Sequence, residues 1–410
     1  MKPKTLLGII ADDFTGASDA ASFAVKGGLE TILFDGVPRT RDLPYAEVVV
    51  IALKSRTQET EAAVDDSIAA FEYLRGIGAR QFYNKYCSTF DSTPEGNIGP
   101  ISDALLDAVD GKFSVICPAL PANDRKVRDG ILYVDGKPLA ETHMREHPLT
   151  PMTKSFLPDL MDPQSRYPSV VLTRDQFGEA HDLPSVDAAR YYLVPDYDSD
   201  DDGAAIIRMF PDLKLYTGGS GLIEHLARRL AADHKTDDAL KLEPTDGRVL
   251  LVSGSLSVAT QSQCRYFVDH DLGEAIRVRP EDLADNTLDI DRILDQHTGD
   301  TPLLLYSARN EDGSKLDVDN AAELLEEFFG KAAAKGIEHG YTNIICAGGE
   351  TSGAVTQALD LVGFQIGQSI DPGVPVMAPL SEPGIRLVLK SGNFGAEDFF
   401  AKAIREVKRG

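Results

Sequence analysis

Two adjacent carboxylates, Asp12 and Asp13, follow directly after the apolar run Leu6–Ile10 and its neighbour Ala11. An apolar run, a polar turn and then small helix formers, here Ala17–Ala24, are typical of the first strand, loop and helix of an open α/β sheet. Such sheets bind ligands at the carboxyl ends of their strands. The pair therefore has two interpretations: it caps the helix, since Asp is a favoured N-cap, or it handles a ligand.

The first half of the chain contains two more polar segments that follow apolar runs, Leu53–Gln58 and Gln81–Pro100. In the first, Arg56 is suited to bind a carboxylate with two parallel hydrogen bonds. In the second, Lys85 supplies a point charge, and hydroxyl and amide groups precede a helix predicted from Ile98. Each segment alone is more typical of a solvated loop. Together they fit a small polyhydroxylated acid, with candidate substrate-binding residues Arg56, Lys85, Ser88, Asp91 and Asn97.

The second half repeats one local pattern, in which an apolar strand enters a turn of small residues before a helix. The pattern occurs at Arg248–Ser257, Asn343–Gly353 and Ile385–Gly395, and a related turn lies at Leu215–Gly221. Glycine lets backbone N–H groups point outward, and a helix N-terminus adds partial positive charge, so each turn is a candidate anion site. One such turn is usually only a loop, and no segment fits a P-loop or dinucleotide-binding motif. Three on one parallel sheet would line one edge.

The elements that must position these residues follow from the hydrophobic pattern. Apolar runs alternate with amphipathic stretches, which predicts an α/β fold of two domains, each a mainly parallel sheet flanked by helices. A VDGK turn within Gly130–Thr142 predicts a hairpin. The predicted strands are Leu6–Ile10, Thr31–Phe34, Val48–Leu53, Gln81–Tyr86, Phe113–Cys117 and Val170–Leu172. The predicted helices are Ala17–Lys26, Glu59–Arg75 and Ile98–Val109.

A polar, acid-rich segment, Ala232–Gly247, predicts a linker between domains 1–235 and 246–410. With 410 residues, of which 42% are hydrophobic, the chain can bury real cores. The formal charge of −24 argues against a nucleic-acid partner, because phosphate neutralisation needs a basic face. The four cysteines form no CxxC pair, which suits the cytoplasm, and no apolar run approaches the roughly 20 residues of a membrane span.

Several motifs together resemble one family. They run in order from Gly8 to Phe400 and read ADDFTGASDAA, LKSR, KYCSTFDSTPEGNIGP, VICPALPANDR, TGGSGL, SGS, AGGETSGAVTQAL and LKSGNFG. The whole series resembles the four-carbon acid sugar kinase family. Within it, the third and fourth motifs resemble the branch that acts on 3-oxo acids more than the threonate and erythronate kinases.

The resemblance implies that domain 1–235 binds a sugar acid and that domain 246–410 binds ATP, with the active site in the cleft between them. The implied reaction moves the γ-phosphoryl group of ATP to the 4-hydroxyl of a 3-oxo-tetronate. The implied nucleotide-binding residues are Ser255, Gly348, Gly349, Glu350, Thr351 and Gly395. These residues belong to the three turns already identified as candidate anion sites.

Phosphoryl transfer needs alignment, charge neutralisation and a group that orients or deprotonates the attacking hydroxyl. Asp13 is the candidate catalytic base, with Asp12 as its alternative and Asp91 as a competitor. Arg56 and Lys85 would hold the substrate carboxylate. Mg²⁺ should bridge the phosphates, and Glu350 is the acid best placed in sequence to bind it. No P-loop lysine is present, so the backbone and the metal must carry more of the charge.

Two alternatives stay open at this point. A kinase of the same family could act on D-threonate or D-erythronate, since no residue type decides between a carbonyl and a hydroxyl at C3. A non-enzymatic nucleotide or sugar-acid sensor on the same scaffold is the second. The partners expected are the sugar acid and ATP, without nucleic acid or membrane, and a homodimer is considered as the assembly.

Overall fold

The computed structural model describes residues 5–40, 44–147, 150–178, 183–233, 242–285, 287–308 and 320–409. The chain forms two compact units, Met1–Ala239 and Leu240–Gly410. Half of the predicted linker, residues 234–241, lies outside the described residues, so the boundaries 1–235 and 246–410 stay predictions, as does the placement of the active site between the domains. In the described part of the chain, no helix is long and apolar enough to cross a membrane.

The first unit is built on a parallel sheet. Its strands are β1 (Leu7–Ala11), β2 (Thr31–Asp35), β3 (Val48–Ala52), β4 (Gln81–Lys85), β5 (Phe113–Cys117), β9 (Ser169–Leu172), β10 (Tyr191–Pro195) and β11 (Leu215–Gly218). They are ordered β2-β3-β1-β4-β11-β5-β10-β9, and every neighbouring pair is parallel. A separate antiparallel sheet joins β6 (Arg125–Arg128), β7 (Ile131–Val134) and β8 (Lys137–Pro138), which confirms the predicted hairpin and adds a strand before it.

Helices cover this sheet on both faces. They are α1 (Phe14–Lys26), α2 (Thr60–Gly76), α3 (Ile98–Ala108), α4 (Leu157–Met161), α5 (Asp200–Met209) and α6 (Gly221–Asp233). Short 3₁₀ helices lie at Pro121–Asn123, Leu139–Glu141, His143–Glu146, Asp162–Gln164 and Arg174–Gln176. Strands β1 and β3 are buried at every position, as expected for parallel strands with helices on both faces.

The second unit is also built on a mainly parallel sheet. Its strands are β12 (Arg248–Ser253), β13 (Glu274–Arg277), β14 (Leu303–Tyr306), β15 (Tyr341–Ala347), β16 (Gly363–Asp371), β17 (Val374–Pro379) and β18 (Arg386–Lys390). The strands are ordered β13-β14-β12-β15-β18-β17-β16. The first five strands are parallel to one another, whereas β17 is antiparallel to both β18 and β16. The helices are α7 (Val258–Asp269), α8 (Pro280–Ala284), α9 (Ile290–Gln296), α10 (Ala321–Glu338), α11 (Gly349–Ala358) and α12 (Phe399–Arg409). The predicted fold class is confirmed.

Strand order decides which loops can meet. In the first unit β1 lies between β3 and β4, so the segments that follow these three strands emerge side by side. The chain leaves β1 toward β2 on one side and leaves β4 toward β5 on the other, which makes this a topological switch point. In the second unit β12, β15 and β18 are neighbours, and each leads into a glycine-containing turn at the same sheet edge.

Candidate functional site

The carboxylate of Asp12 is paired with Arg56 at the edge of the first sheet. Asp12 follows β1 and Arg56 follows the neighbouring β3. The Nε atom of Arg56 donates to Oδ2 of Asp12 at 2.7 Å, and Nη2 donates to Oδ1 at 3.1 Å. Asp12 is only 9% exposed, and the pair is therefore a bidentate ion pair largely removed from water.

Asp13 takes the capping role that the sequence leaves open, and its role toward a ligand stays a prediction. It is the N-cap of α1, with extended backbone angles, and its carboxylate accepts a hydrogen bond from the backbone N–H of Gly16. Its other oxygen lies 2.8 Å from Nη2 of Arg56. The helix begins at Phe14 rather than at the predicted Ala17, because the cap is Asp13 itself. The side chain keeps about a third of its surface exposed and so remains accessible to a ligand.

Gly16 allows the side chains around α1 to approach one another. A Cβ atom at this position would lie 2.7 Å from Oδ1 of Asp13 and 3.2 Å from Nζ of Lys85. Lys85 ends β4 and is 3% exposed, and its ammonium donates to the carbonyl oxygen of Tyr86 at 3.0 Å. The backbone N–H of Asp12 donates to the carbonyl oxygen of Lys85. The sheet therefore brings Asp12, Asp13, Arg56 and Lys85 together, as one cluster.

A third carboxylate belongs to this cluster. Asp19 lies in α1, is buried, and stands 4.0 Å from Nζ of Lys85. It also accepts a hydrogen bond from the hydroxyl of Ser220, in the turn after β11. We name Asp12, Asp13 and Asp19 with Arg56 and Lys85 the carboxylate cluster.

Burial sets the protonation equilibria of this cluster. Burial raises the pKa of Asp12, Arg56 lowers it without offsetting the effect fully, and the neighbouring charge of Asp13 raises it again. Burial also raises the pKa of Asp19, against the opposing effects of Lys85 and Ser220. The cluster thus contains carboxylates that take up a proton more readily than an exposed aspartate does.

Two further predicted substrate-binding residues, Ser88 and Asp91, lie in the loop that follows β4 and Lys85. A Cβ atom on Gly219, in the turn after β11, would lie 3.4 Å from Cβ of Ser88. Asp91 accepts a hydrogen bond from the hydroxyl of Thr89 at 2.6 Å. Burial and, to a smaller extent, the charge of Asp91 raise the pKa of Cys87 to about 12, so this thiol stays protonated.

Asn97 contacts the loop that carries Arg56. Its amide donates to the carbonyl oxygens of Ser55 and Gln58, both at 2.8 Å, and its Oδ1 accepts from the hydroxyl of Thr60 at 2.9 Å. The amide therefore fixes the loop on both sides of Arg56. Its predicted role in binding substrate stays a prediction.

In the second unit, the turns after β12 and β15 meet at the edge of the sheet. A Cβ atom on Gly348 would lie 3.3 Å from Cβ of Ser255 and 2.7 Å from Oγ1 of Thr351. A Cβ atom on Gly254 would lie 2.5 Å from the same hydroxyl oxygen. Gly348 has φ = +132°, a backbone angle that residues other than glycine rarely adopt. Both glycines are required by this close approach.

The turn after β18 joins them. The hydroxyls of Ser257 and Thr260 both donate to the carbonyl oxygen of Gly392, the latter at 2.7 Å. A Cβ atom on Gly392 would lie 2.4 Å from Oγ of Ser255. Gly395 has φ = +83°, and its carbonyl oxygen accepts from Nε2 of Gln263, in α7, at 2.9 Å. We name the segments Ser253–Ser257, Ala347–Thr351 and Lys390–Gly395 the glycine-turn edge.

Glu350 lies in the first turn of α11 and its side chain is exposed. It raises the pKa of Glu326, in α10, after the larger effect of burial, so the two carboxylates are near each other. The described residues contain no group of three or more His, Cys, Asp or Glu side chains that could hold a metal ion. Mg²⁺ that is bound with substrate phosphates needs only one or two protein carboxylates, so Glu350 within the glycine-turn edge fits that group.

Three residues that sequence analysis missed take part in these sites. Asp19 and Ser220 occur inside recognised motifs but have no role in the predictions. Lys390 ends the apolar strand β18, is 2% exposed, and donates from Nζ to Oγ1 of Thr260 at 2.9 Å. A charged residue at the end of an apolar strand, directly before a glycine turn, is the signal that could have found it.

Two family models match the chain. The model described as "Sugar-binding N-terminal domain" covers residues 7–226, and the model described as "Nucleotide-binding C-terminal domain" covers residues 250–400. The first contains the whole carboxylate cluster and the second the whole glycine-turn edge.

Curated relatives match over nearly their whole length. A 3-oxo-tetronate kinase from Haemophilus influenzae is 39% identical over 97% of this chain and 99% of its own. A 3-oxo-tetronate kinase from Brucella melitensis is 41% identical over 97% of this chain and 94% of its own. Among solved structures, a Haemophilus influenzae protein superposes with a TM-score of 0.85 at 39% identity, covering 98% of this chain and 100% of that one. A Salmonella typhimurium LT2 protein, named as a candidate tRNA synthase, superposes with a TM-score of 0.88 at 37% identity. The match covers 98% of this chain and 99% of that one.

Proposed function

The chain belongs to the four-carbon acid sugar kinase family, and we propose that it transfers the γ-phosphoryl group of ATP to the 4-hydroxyl of a 3-oxo-tetronate. The proposal depends on one observation: the two units present different kinds of side chains and turns at the carboxyl edges of their sheets. One unit presents a cluster of carboxylates and cations, and the other presents converging glycine turns.

The carboxylate cluster supports sugar-acid binding because it leaves one hydrogen-bonding direction of Arg56 open. Within the described residues, Nε and Nη2 of Arg56 are used by Asp12 and Asp13, whereas Nη1 forms no hydrogen bond. We assign this nitrogen, with the ammonium of Lys85, to the substrate carboxylate. Ser88 and Asp91 then lie nearby to bind hydroxyl groups.

Asp13 is the catalytic base in this proposal. Its carboxylate is held by the N-terminus of α1 and by Arg56, yet it is more exposed than that of Asp12. A fixed, accessible carboxylate can orient the 4-hydroxyl and accept its proton as the bond to phosphorus forms. Asp12 instead holds Arg56 in position, and Asp91 remains the competing candidate.

The glycine-turn edge binds the nucleotide phosphates in this proposal. The carboxyl ends of the parallel strands lie at this edge, and α11 begins within it. Backbone N–H groups therefore supply hydrogen-bond donors for the phosphate oxygens. Mg²⁺, when bound, would neutralise charge on the phosphates, and Glu350 would hold it directly or through water. Ser255, Gly348, Gly349, Thr351 and Gly395 form the surrounding backbone.

The test is ADP release from MgATP with 3-oxo-tetronate, D-threonate, D-erythronate and D-glycerate. Turnover confined to the oxo acid supports the assignment. Turnover only with D-threonate or D-erythronate would keep the kinase and replace the substrate. ATP binding without turnover of any acid would favour the sensor.

A tRNA-directed activity, which the name of the Salmonella structure suggests, has little physical support in this chain. Its formal charge is −24, and neutralising a nucleic-acid backbone requires a basic face. We also propose that the protein is cytoplasmic, because the cysteines are free thiols and ATP is supplied there. A homodimer stays a prediction.

A further inference from the structure

Lys390 is a buried cation inside the nucleotide-binding unit. It is 2% exposed and ends β18, directly before the turn Ser391–Gly395. Its Nζ atom donates to Oγ1 of Thr260 at 2.9 Å and to the carbonyl oxygen of Ser391 at 2.9 Å, and it lies 3.5 Å from the carbonyl oxygen of Gly392. All three acceptors are uncharged.

Among the described residues, this ammonium has no carboxylate partner. The titratable groups that face it are thiols, Cys264 from α7 and Cys346 from β15, and the ring of Phe399 from α12 lies 5.7 Å away. Burial raises the pKa of these thiols to about 11 and about 12, so both are neutral. A buried charge without a partner is unfavourable unless a ligand supplies one.

The ammonium helps to hold the backbone of the turn, together with the hydroxyls of Ser257 and Thr260, which both donate to the carbonyl oxygen of Gly392. In a trans peptide unit the N–H points opposite to the C=O. Because the carbonyl oxygens of Ser391 and Gly392 face Lys390, the N–H groups of Gly392 and Asn393 face the other way. Neither N–H donates a hydrogen bond within the described residues. The two donors are thus set up together for an external acceptor.

We infer that Lys390 is a positioning residue of the phosphate site: together with Ser257 and Thr260 it holds the turn with the N–H groups of Gly392 and Asn393 toward the nucleotide, and its own charge is balanced by the bound phosphates. This inference rests on the proposed function, since it names the cation that assists ATP binding. It also adds a lysine to the backbone and the metal, on which the sequence analysis placed more of the charge because no P-loop lysine is present.

A consequence is that nucleotide binding is coupled to protonation. Burial lowers the pKa of Lys390 to about 8 in the free protein. An adjacent phosphate favours the ammonium, so binding raises this pKa. The affinity for ADP is then constant below about pH 8 and falls as the pH rises above it, because binding must then take up a proton.

The experiment measures ADP binding to the full chain by calorimetry, without sugar acid, in buffers of different ionisation enthalpy. At about pH 9 the wild type should take up a proton on binding, and at about pH 7 it should take up almost none. Lys390→Met should abolish the uptake and weaken ADP binding about 10-fold or more, a change of about 1.4 kcal/mol. Lys390→Arg should restore binding and lose the pH dependence, since its guanidinium does not titrate there.

Lys402→Met is the matched control, because Lys402 on α12 is paired with Asp371 and Asp398 instead of being isolated. It should leave affinity and proton uptake unchanged. Wild-type binding without proton uptake at about pH 9 would overturn the inference, and this measurement does not depend on the folding of any variant. Uptake that persists in Lys390→Met would overturn it too. Kinase turnover by the wild type tests the proposed function separately, so the two can fail independently.

Discussion

Arg56 holds Asp12 through two hydrogen bonds, Nε to Oδ2 at 2.7 Å and Nη2 to Oδ1 at 3.1 Å, while Nη2 also reaches Asp13 at 2.8 Å. Arg56 and Asp12 are 44 positions apart in sequence and meet because β1 and β3 are neighbours. One guanidinium therefore compensates a buried carboxylate and fixes an accessible one.

Removing this guanidinium should destabilise the protein through Asp12. We expect Arg56→Gln to reduce the free energy of unfolding by about 2 kcal/mol, because it leaves the buried carboxylate unpaired. The pKa of Asp12 should rise further, since Arg56 is the main influence that lowers it. The double variant with Asp12→Asn should recover part of the stability in urea unfolding. Equal stabilities of Arg56→Gln and wild type would contradict the ion pair.

Replacing the candidate base should separate catalysis from folding. Asp13→Asn keeps a good N-cap for α1, so the helix should still begin at Phe14. We expect kcat to fall about 10²- to 10⁴-fold, with sugar-acid binding and thermal stability largely kept. Steady-state kinetics and calorimetry check both parts. Near-normal kcat in this variant, with a large loss in Asp91→Asn, would transfer the role to Asp91.

Asp19 should make stability depend on pH in the acidic range. Burial raises its folded-state pKa above the ordinary value of 3.8. The protonated form is therefore favoured by folding, and the stability it contributes is present at low pH and lost as the pH rises through the raised pKa. Asp19→Asn cannot titrate and can still accept from Ser220. The unfolding free energy of the wild type minus that of Asp19→Asn should fall as the pH rises from about 4 to about 7. A constant difference would refute the raised pKa.

The glycine-turn edge should not tolerate a methyl group at Gly348. An alanine there has a positive φ and a Cβ atom 2.7 Å from Oγ1 of Thr351, so we expect a loss of about 1–3 kcal/mol and a KM for ATP raised at least tenfold. The KM for the sugar acid should stay unchanged. The control is Gly353→Ala in the same α11 segment, where a Cβ atom meets open space and the helix should gain up to about 1 kcal/mol. Equal kinetics in both variants would exclude Gly348 from the nucleotide site.

The metal requirement should depend on Glu350. We expect Glu350→Gln to raise the Mg²⁺ concentration needed for half-maximal rate several-fold, with the rate restored at high Mg²⁺, because a single protein carboxylate contributes only part of the coordination. Glu323→Gln is the matched control, since Glu323 is an exposed carboxylate of α10 whose charge acts on the same Glu326. A similar shift in both variants would show that only the general negative charge matters.

The sequence by itself determined the elements and the edge of the sheet at which chemistry occurs. Runs such as VVVIA admit little besides a buried strand, and predicted and observed strand ends differ by at most one residue at β1, β3 and β5. Polar residues directly after such strands must lie at the carboxyl edge, so the positions of Asp12, Asp13 and Arg56 could be read from local pattern and spacing.

Only the tertiary structure decided which of these groups meet and what each one does. Strand order is set by packing over the whole sheet, and it alone brings Ser220 to Asp19 and Gly392 to Ser255. Burial decides the pKa of Asp19 and isolates Lys390, because a buried charge is defined by its surroundings in space. The sequence places Lys390 at the end of an apolar strand, directly before a glycine turn, but it carries no sign of whether a carboxylate lies beside that lysine. The lack of a carboxylate partner for Lys390 among the described residues therefore emerged only from the fold.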